Sequence, residues 1–386
     1  MKYSTFALDS LESLSIRTLF FELIRVSVGS CCKLSLIPSD KEWKGLYLMA
    51  QNQALIGTCF YGIKQLPAEQ LINLPLQLKM QWLGITANIQ KRNEVMDIRC
   101  RQLQNQLADF GFCGCVLKGQ GVAFMYPKEL SSLRQSGDID VWVKGGFNSV
   151  KALAKKMNQH VKATEQHVDL SFFKDAEVEV HFIPTMLRNP FANRRLQKWI
   201  NEQKETQFLN KNDKGMCVPT LEFNLVYMMI HTYRHLFAEG VGLRQVMDYY
   251  MLLCSESKSI ELKEKVMKCM RLLHIDKFAA GLMWVMNKVF GLTEDKMLCN
   301  PNERHGAFIL NEIMTAGNMG HYDERLVTMY NAPKLRRFLL MNRHTLRLFE
   351  YYPQETFFTP ITRMWTWVWR NRLTFDRYYC YGKRNI

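Results

Sequence analysis

The sequence predicts an α+β protein in which a small mixed α/β core sits between two helical regions. Three observations carry that reading. Apolar residues recur at three- and four-residue spacing through residues 1–110. Over residues 112–185 they alternate in short pieces, as half-buried strands do. The helical period returns after Pro190. The expected segments are therefore 1–110, 111–188 and 189–386.

The first stretch, "MKYSTFALDSLESLSIRTLFFELIRV", mixes acidic residues with apolar ones and lacks a small-residue cleavage site. It reads as an amphipathic helix and not as a signal peptide. "KEWKGLYLMAQNQALIGTCFYGI" and "LQLKMQWLGITANIQKRNEVMDIRCRQLQNQLADFGF" continue the helical period, and Gly111 suits a helix C-terminus. Strands are expected at "CGCVLKG", "GDIDVWV", "HVDLSFF" and "VEVHFIP". "KDAE" at 174–177 would turn between the last two, and "FNSVKALAKKMNQH" would be a helix starting near Asn148 or Ser149. Beyond Pro190, "LEFNLVYMMIHTYRHLFAEGVGLRQVMDYYMLLC", "ELKEKVMKCMRLLHI" and "KFAAGLMWVMNKVFGL" are each helical in period.

Composition excludes several classes. The chain has 386 residues, 47% hydrophobic and 23% charged, as a folded protein has, with no low-complexity tail. Nowhere are there 18 consecutive apolar residues, so a soluble, cytoplasmic protein is expected. The eleven cysteines are scattered without a C-x-x-C pair, which favours free thiols in a reducing compartment over a zinc site. A formal charge of +15 favours an anionic ligand: a nucleotide, a nucleic acid or an acidic membrane surface.

"SGDIDVWV" is the informative segment. On a strand, Asp138, Asp140 and Trp142 share one face and Ile139, Val141 and Val143 the other. Two carboxylates on one face repel unless a positive group lies between them. Their spacing suits oxygen ligands for one or two Mg²⁺ ions carrying nucleotide phosphates. A third carboxylate is at hand in Glu179 of "VEVHF", or alternatively in Asp169 of "HVDLSF". Upstream, "VLKGQG" is a strand entering a glycine-rich turn. There backbone N–H groups of Gly119, Gln120 and Gly121, with Lys118, can face a phosphate. Arg134 is placed to pair with the carboxylates or to contact phosphate.

The run "VLKGQGVAFMYPKELSSLRQSGDIDVWV" followed by "HVDLSFFKDAEVEVHF" resembles an uncharacterised bacterial nucleotidyltransferase family of the DNA polymerase β-like superfamily. The resemblance implies a polymerase β-like core with helical flanks. It places Asp138 and Asp140 on the paired acids and Glu179 on the third, Lys118-Gly119 on the family's turn and Arg134 on its arginine. "GVGLRQVMDYYMLL" resembles the downstream helix, giving Arg244 and Asp248. The implied activity is Mg²⁺- or Mn²⁺-dependent transfer of a nucleoside monophosphate to an unidentified acceptor (small molecule, RNA or protein) with release of pyrophosphate. The competing expectation is a catalytically idle module that binds nucleic acid, an anionic membrane or a protein through its basic surface.

Other residues carry weaker signals. His231 and His235 in "HTYRH" lie at i, i+4, but Thr232 stands where a zinc protease needs glutamate, which leaves substrate-side contacts or helix residues packed or solvated without a role. His181 shares a strand face with Glu179, and His167 with Asp169; each would orient a ligand or pack structurally. Arg244 and Asp248, also i, i+4, would form a surface ion pair or line the site. The C-terminal "ITRMWTWVWRNRLTFDRYYCYGKR" combines Trp365, Trp367 and Trp369 with Arg363, Arg370 and Arg372. Such a surface suits nucleic-acid stacking, an anionic interface or docking.

Overall fold

The computed structural model describes residues 10–159, 163–255, 259–323, 325, 329 and 331–381. The chain is α+β, a four-stranded mixed sheet embedded in helices. Four helices come first: α1 (Ser10–Ser27), α2 (Asp40–Asn52), α3 (Ile56–Gln65) and the long α4 (Leu76–Asp109). The sequence stretch 41–63, continuous in period, is broken into α2 and α3 at Ala54, whose φ of 55° is left-handed. Gln53 anchors the break, accepting from the Leu243 N–H and donating to the Ile313 carbonyl. Ser39 starts α2 with a capping box to Glu42, satisfying N–H groups the helix itself leaves open. Gly111, at φ 78°, follows the end of α4 as expected of a glycine in that role.

Strand β1 (Gly114–Val116) leads through two single-turn helices, α5 (Gln120–Ala123) and α6 (Lys128–Ser131), to β2 (Ile139–Val143). Helix α7 (Gly146–Lys156) then precedes the hairpin β3 (His167–Asp169) and β4 (Val178–His181). Helix α7 starts earlier than the Asn148 or Ser149 expected, because Gly145 at φ 101° turns the chain directly into it. The strand order is β1-β2-β4-β3; β2 and β4 are parallel and the outer pairs antiparallel. Downstream lie α8 (Pro190–Leu209), α9 (Leu221–Phe237), α10 (Leu243–Cys254), α11 (Ile260–Leu272), α12 (Asp276–Phe290) and α13 (Glu303–Ala316). They are followed by helices at Lys334–Leu346 and Pro353–Tyr381.

Period-two alternation gives the sheet two unlike faces. On one, Val116, Ile139, Val141, Val143, Val168, Val178 and Val180 pack with Met96, Leu103 and Leu107 of α4 and Val150 and Leu153 of α7. On the other lie Cys115, Asp140, Trp142, Glu179 and His181. Trp142 is sealed there by Phe208 of α8 and Phe223 of α9, with ring centroids 4.8 and 5.8 Å away. Such aromatic contacts add about 0.5–1.5 kcal/mol each beyond area burial. Trp142 thus closes one end of this face and leaves the acids at the other.

The two helical flanks are not separate in space. Residues of α1 to α3 and of α9 to α13 share one hydrophobic core that includes Phe20, Trp43, Phe60, Tyr249, Phe278 and Phe290. Among the described residues the cysteines are free, and Cys59, Cys100, Cys115, Cys217 and Cys269 are buried. No helix among the described residues is long and apolar enough to cross a membrane. Trp365 is exposed on the last helix. Arg363, expected at phosphate, instead donates to the Met341 and Phe237 carbonyls and to Asn342 and Thr345. The side chains of Trp367, Trp369, Arg370 and Arg372 lie outside the described residues.

Candidate functional site

The site is assembled by strand register. Asp140 on β2 stands opposite Glu179 on β4, and Trp142 opposite His181. On the other side of β4, His167 stands opposite His181 and Asp169 opposite Glu179. Cross-strand partners point to the same face, so three strands bring acids and imidazoles together. Asp138 lies one residue ahead of β2 and completes the group. One oxygen each from Asp138, Asp140 and Glu179 lie within 4.8 Å of one another. Asp169 is the outlying candidate: its side chain is 78% exposed and lies 3.6 Å from His167 Nε2.

Asp140 is 2% exposed, and two groups hold its charge there. Lys118 Nζ is 3.0 Å and His181 Nε2 is 2.9 Å from the same oxygen, Oδ1. Burial alone would raise the Asp140 pKa. The Lys118 ammonium and the His181 hydrogen bond more than offset it, holding the carboxyl well below the usual range. Lys118 shows the complement: burial opposes its charge, and Asp140 with Asp138 overcomes that and raises its pKa. Glu179 is raised, chiefly by burial and further by Asp140, against the lowering hydrogen bond from His181 3.3 Å away. For His181 burial lowers the pKa, and its bonds to Asp140 and Glu179 reverse that to a net rise. His167, desolvated and beside His181, is pushed down to about 4.

The turn after β1 lies beside these acids because the Leu117 N–H donates to the Asp140 carbonyl. Gly119 has φ 54° and ψ −118°, a conformation open to glycine. Gly121 is needed for a different reason: a Cβ there would sit 2.3 Å from the Val116 carbonyl oxygen. The Gln120 side chain is buried and donates to Asp97 Oδ1 at 2.6 Å.

Two expected pairings are rearranged. Arg244 and Asp248 do not pair with each other along α10. Asp248 instead takes Arg134 bidentately, at 2.6 and 2.8 Å, and accepts from the Tyr126 hydroxyl at 2.5 Å. Arg134, Asp248 and Tyr126 are all buried. Arg134 thus ties the segment before the acids to α10, and its ion pair is with Asp248. Arg244 Nη1 donates to the Gln135 carbonyl at 2.8 Å and lies 3.7 Å from where a Cβ of Gly137 would be, beside the acids.

Helix α9 supplies a polar stripe at four-residue spacing: Tyr227, His231, His235 and, just beyond the helix, Glu239. The Nε2 atoms of His231 and His235 are 3.1 Å apart, and His235 Nδ1 is 3.2 Å from Glu239. The Lys118 charge acts on all four, which places the stripe on the Lys118 side of the sheet. Burial lowers both histidine pKa values, His235 despite the opposing pull of Glu239. The Tyr227 hydroxyl is buried without a hydrogen-bond partner. Sequence reading took the two histidines and missed Tyr227 and Glu239, although the i, i+4, i+8, i+12 spacing was visible. It had no signal for Tyr126, whose role depends on a helix more than a hundred residues away.

The oxygens of the three carboxylates converge in a partly buried site. That donor set fits a divalent cation. Among curated proteins none matches the chain. Residues 39–291, more than half of the chain and including every side chain of this site, match the uncharacterised nucleotidyltransferase family. The chain belongs to that nucleotidyltransferase family.

Proposed function

We propose that the protein transfers a nucleoside monophosphate from a nucleoside triphosphate to an acceptor hydroxyl or similar nucleophile. The observation that carries this reading is the convergence of Asp138, Asp140 and Glu179 on one sheet face beside the Lys118-Gly119 turn, in a chain of the nucleotidyltransferase family. Asp138, Asp140 and Glu179 would hold Mg²⁺ or Mn²⁺, which supplies charge neutralisation to the triphosphate and at the phosphorus under attack.

The chain's own groups have separable tasks. His181 and Lys118 fix Asp140 in its ionised form and in one rotamer. Lys118, whose side chain is 19% exposed, would also meet phosphate oxygen with its ammonium. Glu179, whose raised pKa suits a base working nearer neutrality, takes the acceptor's proton. The acceptor oxygen bonds to the α-phosphorus as the bond to pyrophosphate breaks. Arg244, half-buried and held at Gln135, carries positive charge to the backbone just before Asp138. Tyr227, His231 and His235 form the wall on which the acceptor rests.

The test is incubation with each α-labelled nucleoside triphosphate, Mg²⁺ and cell extract, following the label. Label should move to one acceptor class with pyrophosphate released, and Asp138→Asn should abolish it. Wild-type transfer by Asp138→Asn would remove this mechanism. One observation favours an idle binding module instead: Asp140 Oδ1 is already neutralised by Lys118 and His181. Salt-sensitive binding with no triphosphate consumption would select that reading.

A further inference from the structure

We propose that His167 and His181, together with Glu179 and Asp140, form a second, nitrogen-containing cation site that takes a divalent transition metal. It deepens the nucleotidyltransferase reading, on which it rests only for the two carboxylates the sites share. Its ligands come from three neighbouring strands: Asp140 on β2, Glu179 and His181 on β4, His167 on β3.

The spacing is that of a coordination shell. At a metal–ligand distance of about 2.1 Å, neighbouring ligand atoms lie about 3.0 Å apart in an octahedron and about 3.4 Å apart in a tetrahedron. Here His181 Nε2 is 2.9 Å from Asp140 Oδ1 and 3.3 Å from Glu179 Oε2, and His167 Nδ1 is 3.5 Å from the same Glu179 oxygen. His167, Glu179 and His181 place one ligand atom each within 4.8 Å of one another.

Hydrogen bonding argues the same way. A purely structural pair of buried histidines would have its ring nitrogens satisfied. Instead His167 Nδ1, the atom facing Glu179, is buried without a hydrogen-bond partner, and so is His181 Nδ1. His181 is 5% exposed. Ligation through His181 Nε2 places the ring proton on Nδ1 and replaces the hydrogen bond between Nε2 and Asp140. Glu179 belongs to both groups, so it lies between the two sites.

Donor chemistry then separates the ions. Asp138, Asp140 and Glu179 offer oxygen alone, which suits Mg²⁺. Two imidazoles favour Co²⁺ or Zn²⁺ over Mg²⁺.

The experiment uses the full chain, stripped by chelator and titrated with Co²⁺. Visible absorption reports nitrogen ligation, equilibrium dialysis reports stoichiometry, and Zn²⁺ serves as competitor. One Co²⁺ per chain should bind and be displaced by Zn²⁺ but not by millimolar Mg²⁺. His167→Phe and His167→Gln should each weaken Co²⁺ by more than about 100-fold, beyond the 10–100-fold typical of losing an outer-shell partner. Circular dichroism establishes that at least one of the two variants is folded. Asp138→Asn, which leaves all four ligands in place, should lose label transfer and keep Co²⁺ affinity within a few-fold. Absence of stoichiometric Co²⁺ binding, or wild-type affinity in a folded His167 variant, overturns the site even if Mg²⁺-supported transfer persists. Co²⁺ binding that follows His167 in a protein transferring no label supports the site and overturns the transferase reading alone.

Discussion

At Asp140 the cost of burying a carboxylate is met locally by Lys118 and His181, and both are needed because the site also holds Asp138 and Glu179. Asp138 is the cleaner residue to test, since it stands outside β2 and is only half-buried. Asp138→Asn should reduce turnover by more than about 100-fold, exceeding the effect usual for an outer-shell partner, with a melting temperature near that of wild type. Turnover and melting curves measured on the same preparation check it. The His231–His235 pair gives a pH prediction. Burial lowers both pKa values, so the folded state favours neutral imidazoles. Their contribution is full above the unfolded value of about 6.5 and is lost as the pH falls below it. Between pH 7.5 and 5.5 the wild type should therefore lose more melting temperature than His235→Gln does. Equal slopes would mean that the pair is not held neutral.

Within the elements, the glycine turn has two physical jobs that look alike in sequence. Gly119 provides a backbone conformation, while Gly121 provides space against β1. Because the atom it would meet is a backbone oxygen, Gly121→Ala must push α5 away from the strand. A loss of about 1–3 kcal/mol is expected, the range for overpacking a tight contact, measured by urea unfolding. The Arg134–Asp248 bridge between the pre-strand segment and α10 is the other rigid joint. Asp248→Ala would strand a buried guanidinium and should cost about 3–5 kcal/mol. Arg134→Met with Asp248→Leu should recover a large part of it. If the double variant is no more stable than Asp248→Ala, the cost lies in packing and not in the unpaired charge.

For the whole molecule, the sheet is not an independent body. One face is covered by α4, from the first segment, and the other is closed by Phe208 and Phe223 of α8 and α9. A fragment spanning residues 111–188 would expose both faces, and is expected to be unfolded by circular dichroism and to aggregate. The helical flanks share one core, so the three segments read from the sequence mark changes of secondary-structure period and not separable bodies. A folded, monomeric 111–188 fragment would contradict this.

The sequence by itself determined the alternation of helical and strand periods and the face on which Asp138 and Asp140 lie. Residues two apart on a strand must point the same way. The family was also legible, because the residues that carry the resemblance are local: Lys118-Gly119, the paired acids and Glu179-x-His181 lie within 64 residues of sequence. Only the tertiary structure decided which groups oppose one another. Register across β2, β4 and β3 set Glu179 with Asp138 and Asp140, left Asp169 exposed, and brought His167 to His181. A contact across more than a hundred residues gave Arg134 to Asp248 instead of the acids, and another, with α4, turned the Gln120 side chain to Asp97. Such pairings depend on packing between distant segments, where spacing along the chain carries no information. The charge between the aspartates, posed by eight residues, has its first protein partners in Lys118 and His181.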